Sequence, residues 1–113
     1  MKKIEAIIRP EKLDEVKEAI FQETSVKGLT VSQVLGCGQQ LGWKEYVRGQ
    51  EVFTTLLPKV QLSLVVTAEL VDTVTDIIVT HSQTGEVGDG KIFVYDVADV
   101  IRIRTGEKGE KAL

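Results

Sequence analysis

Hydrophobic and polar positions alternate first at the N-terminus. Ile4, Ala6 and Ile8 interleave with Lys3, Glu5 and Ile7 until Pro10, a period of two that predicts a strand. In "EKLDEVKEAIFQE" the period lengthens. Leu13, Val16 and Ile20 fall at i, i+3 and i+7, the stripe of an amphipathic helix, with Asp14 and Glu15 suited to its positive end. A turn near Lys27–Gly28 leads into "LTVSQVLGCG", a second strand. A polar stretch from roughly Gly38 to Leu57 ends at Pro58. "KVQLSLVV" is a third strand, with Val60, Leu62 and Leu64 on one face. "AELVDTVTDIIVTHSQ" is a second helix with Leu70, Val74, Ile77 and Ile78 as its stripe. "KIFVYDV" is a fourth strand, "IRIRTG" a short final one, and "EKGEKAL" a tail. The order β-α-β, long loop, β-α-β predicts an α+β, ferredoxin-like split βαβ plan (βαββαβ). We expect one domain over residues 1–113, with the loop at about 38–57 and the tail at about 105–113.

Charge narrows the function. The formal net charge is −3, so no overall basic field draws nucleic acid or an anionic membrane, and any anion site must be local. The one cysteine, Cys37, can form no internal disulfide and lacks the partners of a zinc site, which fits a reducing cytoplasm. "MKKIEAIIRPEK" reaches charge and proline too soon for a signal peptide. No apolar run approaches the roughly 20 residues needed to span a bilayer. Cys37 and His81 are lone residues of their types on separate segments, so no nucleophile–base pair emerges and no enzyme is expected. Asp72 and Asp76, at i and i+4, read as a solvated helix face.

The segment "TGEVGDGKIFV", Thr84 to Val94, holds the candidate chemistry. Gly85 and Gly90–Lys91 match most of G-x-x-x-x-G-K, the phosphate loop of nucleotide hydrolases. That loop needs a helix after it and a Ser or Thr after the lysine, whereas here Ile92 opens a run of β-formers, so the Walker reading is rejected. Glycines still let backbone approach a ligand closely, successive N–H groups can form an anion nest, and Lys91 adds a point charge. The plainer reading is a tight turn with a solvated lysine. "IRIRTG" shifts the balance. With a period of two, Arg102 and Arg104 share one face while Ile101 and Ile103 are buried on the other, which suits bidentate phosphate contact. The long loop is the second unusual feature. It carries Trp43, Tyr46 and Phe53 beside Arg48, fit for a protein-binding surface or for a hairpin whose aromatics pack on each other.

"KKIEAIIRPEKLDEVKEAI", "GLTVSQVLGCGQQLG", "YVRGQE", "LPKV", "TGEVGDGKIFV" and "IRIRTGE" together resemble segments of the PII nitrogen-regulatory signal-transduction proteins, in that family's order and over nearly the whole chain. The resemblance implies a compact homotrimer that binds ATP or ADP between subunits and 2-oxoglutarate together with MgATP. The long T-loop would then control partners such as ammonium transporters, glutamine synthetase or other nitrogen-metabolism proteins, and the membrane would be met only through a transporter. A PII-like sensor of another anion or of adenylate charge, regulating a non-nitrogen transporter or enzyme, is the alternative.

Carried over by position, the resemblance makes Gly88, Asp89, Gly90 and Lys91 the phosphate cradle, with Gly38 and Gln39 beside the nucleotide. Arg102 and Arg104 would reach the phosphates of a nucleotide held largely by the adjacent subunit. Thr30, Ser63, Val65, Thr84 and the Ile7 backbone would lie near base and sugar. Gln40 would help hold Mg²⁺ and 2-oxoglutarate, Lys59 would pair with a carboxylate of that acid, and backbone N–H groups of Gly38, Gln39, Gln40, Leu41 and Gly42 would complete its pocket. The chain departs from the family pattern in places. Gln39 replaces an arginine aimed at the γ-phosphate, which lowers the expected preference for ATP over ADP. Val52 and Gln50 occupy positions that other members modify covalently, and neither side chain can take that modification. Gln83 replaces an arginine, Glu11 an aromatic residue, and one extra residue lies between Ile20 and Gly28.

Overall fold

A computed structural model of the chain describes residues 1–38, 44–47, 49–53 and 56–113, with backbone alone described for 44–47 and 51–53. The strands are β1 (Lys2–Ile8), β2 (Thr30–Gly36), β3 (Lys44–Val47), β4 (Gln50–Phe53), β5 (Leu57–Val66) and β6 (Lys91–Asp96). The helices are α1 (Leu13–Glu23) and α2 (Val71–Ser82). Each α-helix follows a single 3-10 turn, Pro10–Lys12 before α1 and Ala68–Leu70 before α2. Pro10 suits such a start because the N–H it lacks would have no partner there. Thr24 closes α1, its hydroxyl donating to the Ile20 carbonyl at 2.7 Å.

Four strands form one sheet in the order β2-β5-β1-β6, and each neighbouring pair is antiparallel. β1 and β2 flank β5, so the first β-α-β unit is split by a strand of the second, the ferredoxin-like arrangement expected. The register places Ile4 opposite Leu64 and Val94, and Ala6 opposite Leu62 and Ile92. Ile4, Ala6 and Ile8 of β1 and Val60, Leu62, Leu64 and Val66 of β5 are buried on one face. Val16, Ala19 and Ile20 of α1 and Val74, Ile77 and Ile78 of α2 close over them as a single core. Each large side chain so buried contributes about 1.5–3 kcal/mol. His81 of α2 reaches across to α1, with Nδ1 2.8 Å from a Glu15 carboxylate oxygen, so the lone histidine links the two helices.

Among the described residues the opposite face of the sheet carries no helix. Lys3, Glu5 and Ile7 lie there with Lys59, Gln61, Ser63 and Val65, none of them fully buried. The long connection between β2 and β5 contains the antiparallel hairpin β3–β4, with Lys44 opposite Phe53 and Val47 opposite Gln50. Trp43, Arg48, Thr54 and Thr55 lie outside the described residues.

One expected element is absent. "IRIRTG" is not a strand. Ile101 makes a single bridge to Lys108, and between them the chain turns. The Gly106 N–H donates to the Arg102 carbonyl at 2.7 Å, and the Arg102 N–H donates to the Glu107 carbonyl at 2.8 Å. Gly106 and Gly109 take φ of 74° and 73°, the left-handed region that glycine enters freely. The expected tail folds back as a 3-10 turn, Gly109–Ala112, with the Gly109 N–H on the Val100 carbonyl.

Candidate functional site

The glycine segment connects the end of α2 to β6, and Lys91 opens the strand. A strand after the lysine agrees with the rejection of a hydrolase phosphate loop. Gly85, Gly88 and Gly90 all have positive φ, at 90°, 102° and 104°. Gly90, unlike Gly85, is also pressed against another segment. A Cβ there would stand 1.7 Å from the Ile7 carbonyl oxygen and 2.8 Å from its carbon. Glycine at 90 therefore lets the loop lie directly on the end of β1, and the loop's path follows from that contact.

Asp89 holds the loop together. Its Oδ2 accepts the N–H groups of Thr84 at 2.8 Å and Gly85 at 2.9 Å. Its Oδ1 accepts the Thr84 hydroxyl and, at 3.0 Å, Nε of Arg9. These donors, led by the Thr84 hydroxyl, hold the Asp89 carboxyl far below the usual carboxylate range. Two cations bind the loop's carbonyls from outside. Arg9 Nη2 donates to the Val87 carbonyl at 2.9 Å, and Lys59 Nζ donates to the Gly88 carbonyl at 2.7 Å. In a trans peptide the N–H points opposite to the C=O, so the N–H groups of Gly88 and Asp89 are turned away from those cations.

Below the loop is a cleft of about 620 Å³ between the ends of β2, β5 and β1 and the start of β6. Its walls include Ile7, Gly38, Lys59, Gly88 and Lys91. Burial pushes the Lys59 ammonium below the ordinary lysine value, and the neighbouring Arg9 adds to that, while Glu11 and Asp89 oppose it. A lysine lowered in this way gains most from an incoming anion. Two ammonium groups and exposed backbone suit phosphate or carboxylate oxygens.

The fold gathers Ile7, Gly38, Lys59, Gly88, Asp89, Gly90 and Lys91 around this cleft. Thr84 stands at the loop's base, its N–H and hydroxyl both taken by Asp89. Thr30 and Ser63 face each other across β2 and β5, and Val65 lies beyond them, so these three sit up the sheet and outside the cleft walls. Gln39, Gln40, Leu41 and Gly42 lie outside the described residues.

The arginine expectation needs correction. Arg102 and Arg104 share no strand face, because the chain turns there, and neither lines the cleft of its own chain. Arg102 instead meets Glu107, Nη1 to Oε1 at 3.0 Å, and the Leu113 carbonyl at 3.2 Å. Ile101 and Ile103, expected to be buried, are 56% and 98% exposed. Sequence reasoning missed Arg9, which grips the loop without lining the cleft, and the wall residues Gly36, Cys37, Leu57, Glu86, Val87 and Phe93. Arg9 stood in the sequence as a charge beside Pro10, and nothing local signals a contact some eighty positions away. Cys37 lies on the cleft wall and is exposed.

Comparison with known proteins agrees with this architecture. The family model described as Nitrogen regulatory protein P-II matches residues 1–107. The chain is 54% identical to Nitrogen regulatory protein P-II of Klebsiella oxytoca and 53% identical to Nitrogen regulatory protein P-II 1 of Escherichia coli (strain K12), in each case over all 113 residues of this chain and the full length of the relative. Among solved structures, Arabidopsis thaliana PII bound to citrate superposes with a TM-score of 0.80 at 40% identity, covering 99% of this chain and 91% of that one. With matches that span the whole chain and a shared fold, this chain belongs to the nitrogen regulatory protein P-II family.

Proposed function

We propose that this protein is a cytoplasmic nitrogen-regulatory signal transducer. As a homotrimer it binds ATP or ADP in clefts between subunits and senses 2-oxoglutarate together with MgATP. Its 38–57 loop then controls a partner such as an ammonium transporter, glutamine synthetase or another nitrogen-metabolism protein. It acts by binding and not as an enzyme, it contacts no nucleic acid, and it meets a membrane only through a transporter. Among the described residues no helix is long and apolar enough to cross one.

The observation that carries this reading is the cleft itself, with Lys59 and Lys91 on its walls and the glycine loop pinned over it by Gly90. The phosphates would lie along Gly88–Lys91. Arg102 and Arg104, which do not reach the cleft of their own chain, would serve the neighbouring subunit's nucleotide. Lys59 would meet a carboxylate of the acid. Mg²⁺ takes oxygen ligands. Asp89 on the cleft wall has both carboxylate oxygens engaged, so Gln40 and the oxygens of nucleotide and acid would hold the metal. Without modifiable side chains at Gln50 and Val52, control would rest on ligands alone. A second reading, a sensor of another polycarboxylate, is favoured by the citrate-bound state of the Arabidopsis relative.

Calorimetry on the full chain distinguishes these readings. MgATP should bind alone, and 2-oxoglutarate should bind only with MgATP present. Tight 2-oxoglutarate binding without nucleotide defeats the proposal. Citrate binding with MgATP where 2-oxoglutarate fails supports the second reading.

A further inference from the structure

An aspartate between two glycines of a phosphate loop is electrostatically out of place, because its charge repels the anion the loop would hold. The structure shows how that charge is managed. Both carboxylate oxygens are turned back into the loop and filled by four donors from Thr84, Gly85 and Arg9. Only Arg9 among these brings a positive charge. It leaves the end of β1 with its side chain 13% exposed, so the guanidinium is largely held in place. Its fork spans two points of the loop, Asp89 Oδ1 through Nε and the Val87 carbonyl through Nη2.

We propose that Arg9 is a positioning residue of the anion site: it neutralises Asp89 and keeps that carboxylate bound within the loop, so that its charge is not offered to an anion beside Lys59 and Lys91. The inference rests on the reading of this loop as a phosphate site. It assigns Arg9 an indirect part, acting through Asp89 and the Val87 carbonyl and not by touching the ligand. Lysine, with one compact ammonium, cannot reproduce the two-point fork.

The test is a double-mutant cycle on the full chain, with MgATP and ADP affinities read by calorimetry. Arg9→Met should weaken both nucleotides by about tenfold or more, because an unneutralised carboxylate then stands beside phosphate. The loss caused by Arg9→Met should be smaller in an Asp89→Asn background than in wild type, because no carboxylate is then left to repel the phosphates, whereas damage to folding alone would be the same in both backgrounds. Arg9→Lys should fall between wild type and Arg9→Met. Nucleotide affinity unchanged in Arg9→Met, or an equal loss from Arg9→Met in the wild-type and Asp89→Asn backgrounds, overturns the proposal. If Arg9→Met does not fold, Arg9→Lys with and without Asp89→Asn carries the same comparison, and equality of Arg9→Lys with wild type overturns it. Wild type that binds neither nucleotide defeats the phosphate-site reading instead. The Arg9–Asp89 link is then judged separately by carboxyl carbon NMR: Asp89 should titrate higher in Arg9→Lys than in wild type, and an unchanged titration refutes the link.

Discussion

A methyl group at position 90 has nowhere to go, since backbone atoms of Ile7 already occupy its place. Position 85 shares the unusual φ but has open space around it. The two glycines therefore separate conformational strain from steric overlap. Gly85→Ala should cost about 1–2 kcal/mol, the strain of a non-glycine residue at positive φ. Gly90→Ala should cost more, at least about 3 kcal/mol, because the end of β1 must also move. Chemical denaturation of the two variants checks the ranking, and equal costs would mean that the Gly90–Ile7 contact does not constrain the fold. The sequence showed three glycines and a lysine, enough to single out the segment. It did not show which glycine was indispensable, because that depends on a strand some eighty residues away. Arg9 was illegible for the same reason.

The 84–90 loop behaves as an element despite having no regular structure, because one side chain closes it. Asp89 is ionised in the loop and its folded pKa lies below the ordinary value of about 3.9. The sign follows from linkage. Stability from this carboxylate is fully present above the unfolded pKa and is lost as pH falls through the lower folded value. Between neutral pH and about 4 the loop should therefore hold its structure, and loosening should begin only in stronger acid. Amide exchange of Thr84 and Gly85 followed from neutral pH to about 3 checks this, with protection expected to persist where free aspartates are largely protonated. The 101–113 segment shows the opposite case. Its alternation of Ile and Arg is the pattern of a strand, yet among the described residues its one bridge is internal, Ile101 to Lys108, and two glycines at positive φ turn it back. Periodicity reports which side chains could share a face, not whether a neighbour exists to pair with.

At the scale of the molecule, the described surface suggests a larger assembly. One face of the sheet lacks helices, and β2 and β6 are its edge strands. Ile103 is 98% exposed and Leu35 is 65% exposed, while Phe93 and Tyr95 line the helix-free side of β6. Isolated exposed apolar residues are ordinary, but this many beside two unpaired edges mark a surface suited to association. Sedimentation equilibrium should give three chain masses. Ile103→Glu should lower the trimer's stability without unfolding the subunit, as circular dichroism would show. A wild-type chain that remains monomeric at micromolar concentration would refute the trimer and, with it, a nucleotide site shared between subunits.

The amino-acid order by itself determined the element plan. Periods of two and near three and a half separated strands from helices and named Ile4, Ala6, Ile8, Val60, Leu62, Leu64, Val74 and Ile78, all of which are buried. It also marked the glycine loop and excluded a hydrolase phosphate loop, because that exclusion needs only the residues following Lys91. Local patterning suffices there because burial of a helix or strand face is read along one segment. Tertiary structure alone decided what crosses between segments. It placed Gly90 on Ile7, Arg9 on Asp89, and Lys59 under the Gly88 carbonyl, and it turned the expected last strand into a hairpin-like turn. The first three depend on the sheet order that brings the end of β1 beside β6 and β5, and no local pattern encodes that neighbourhood.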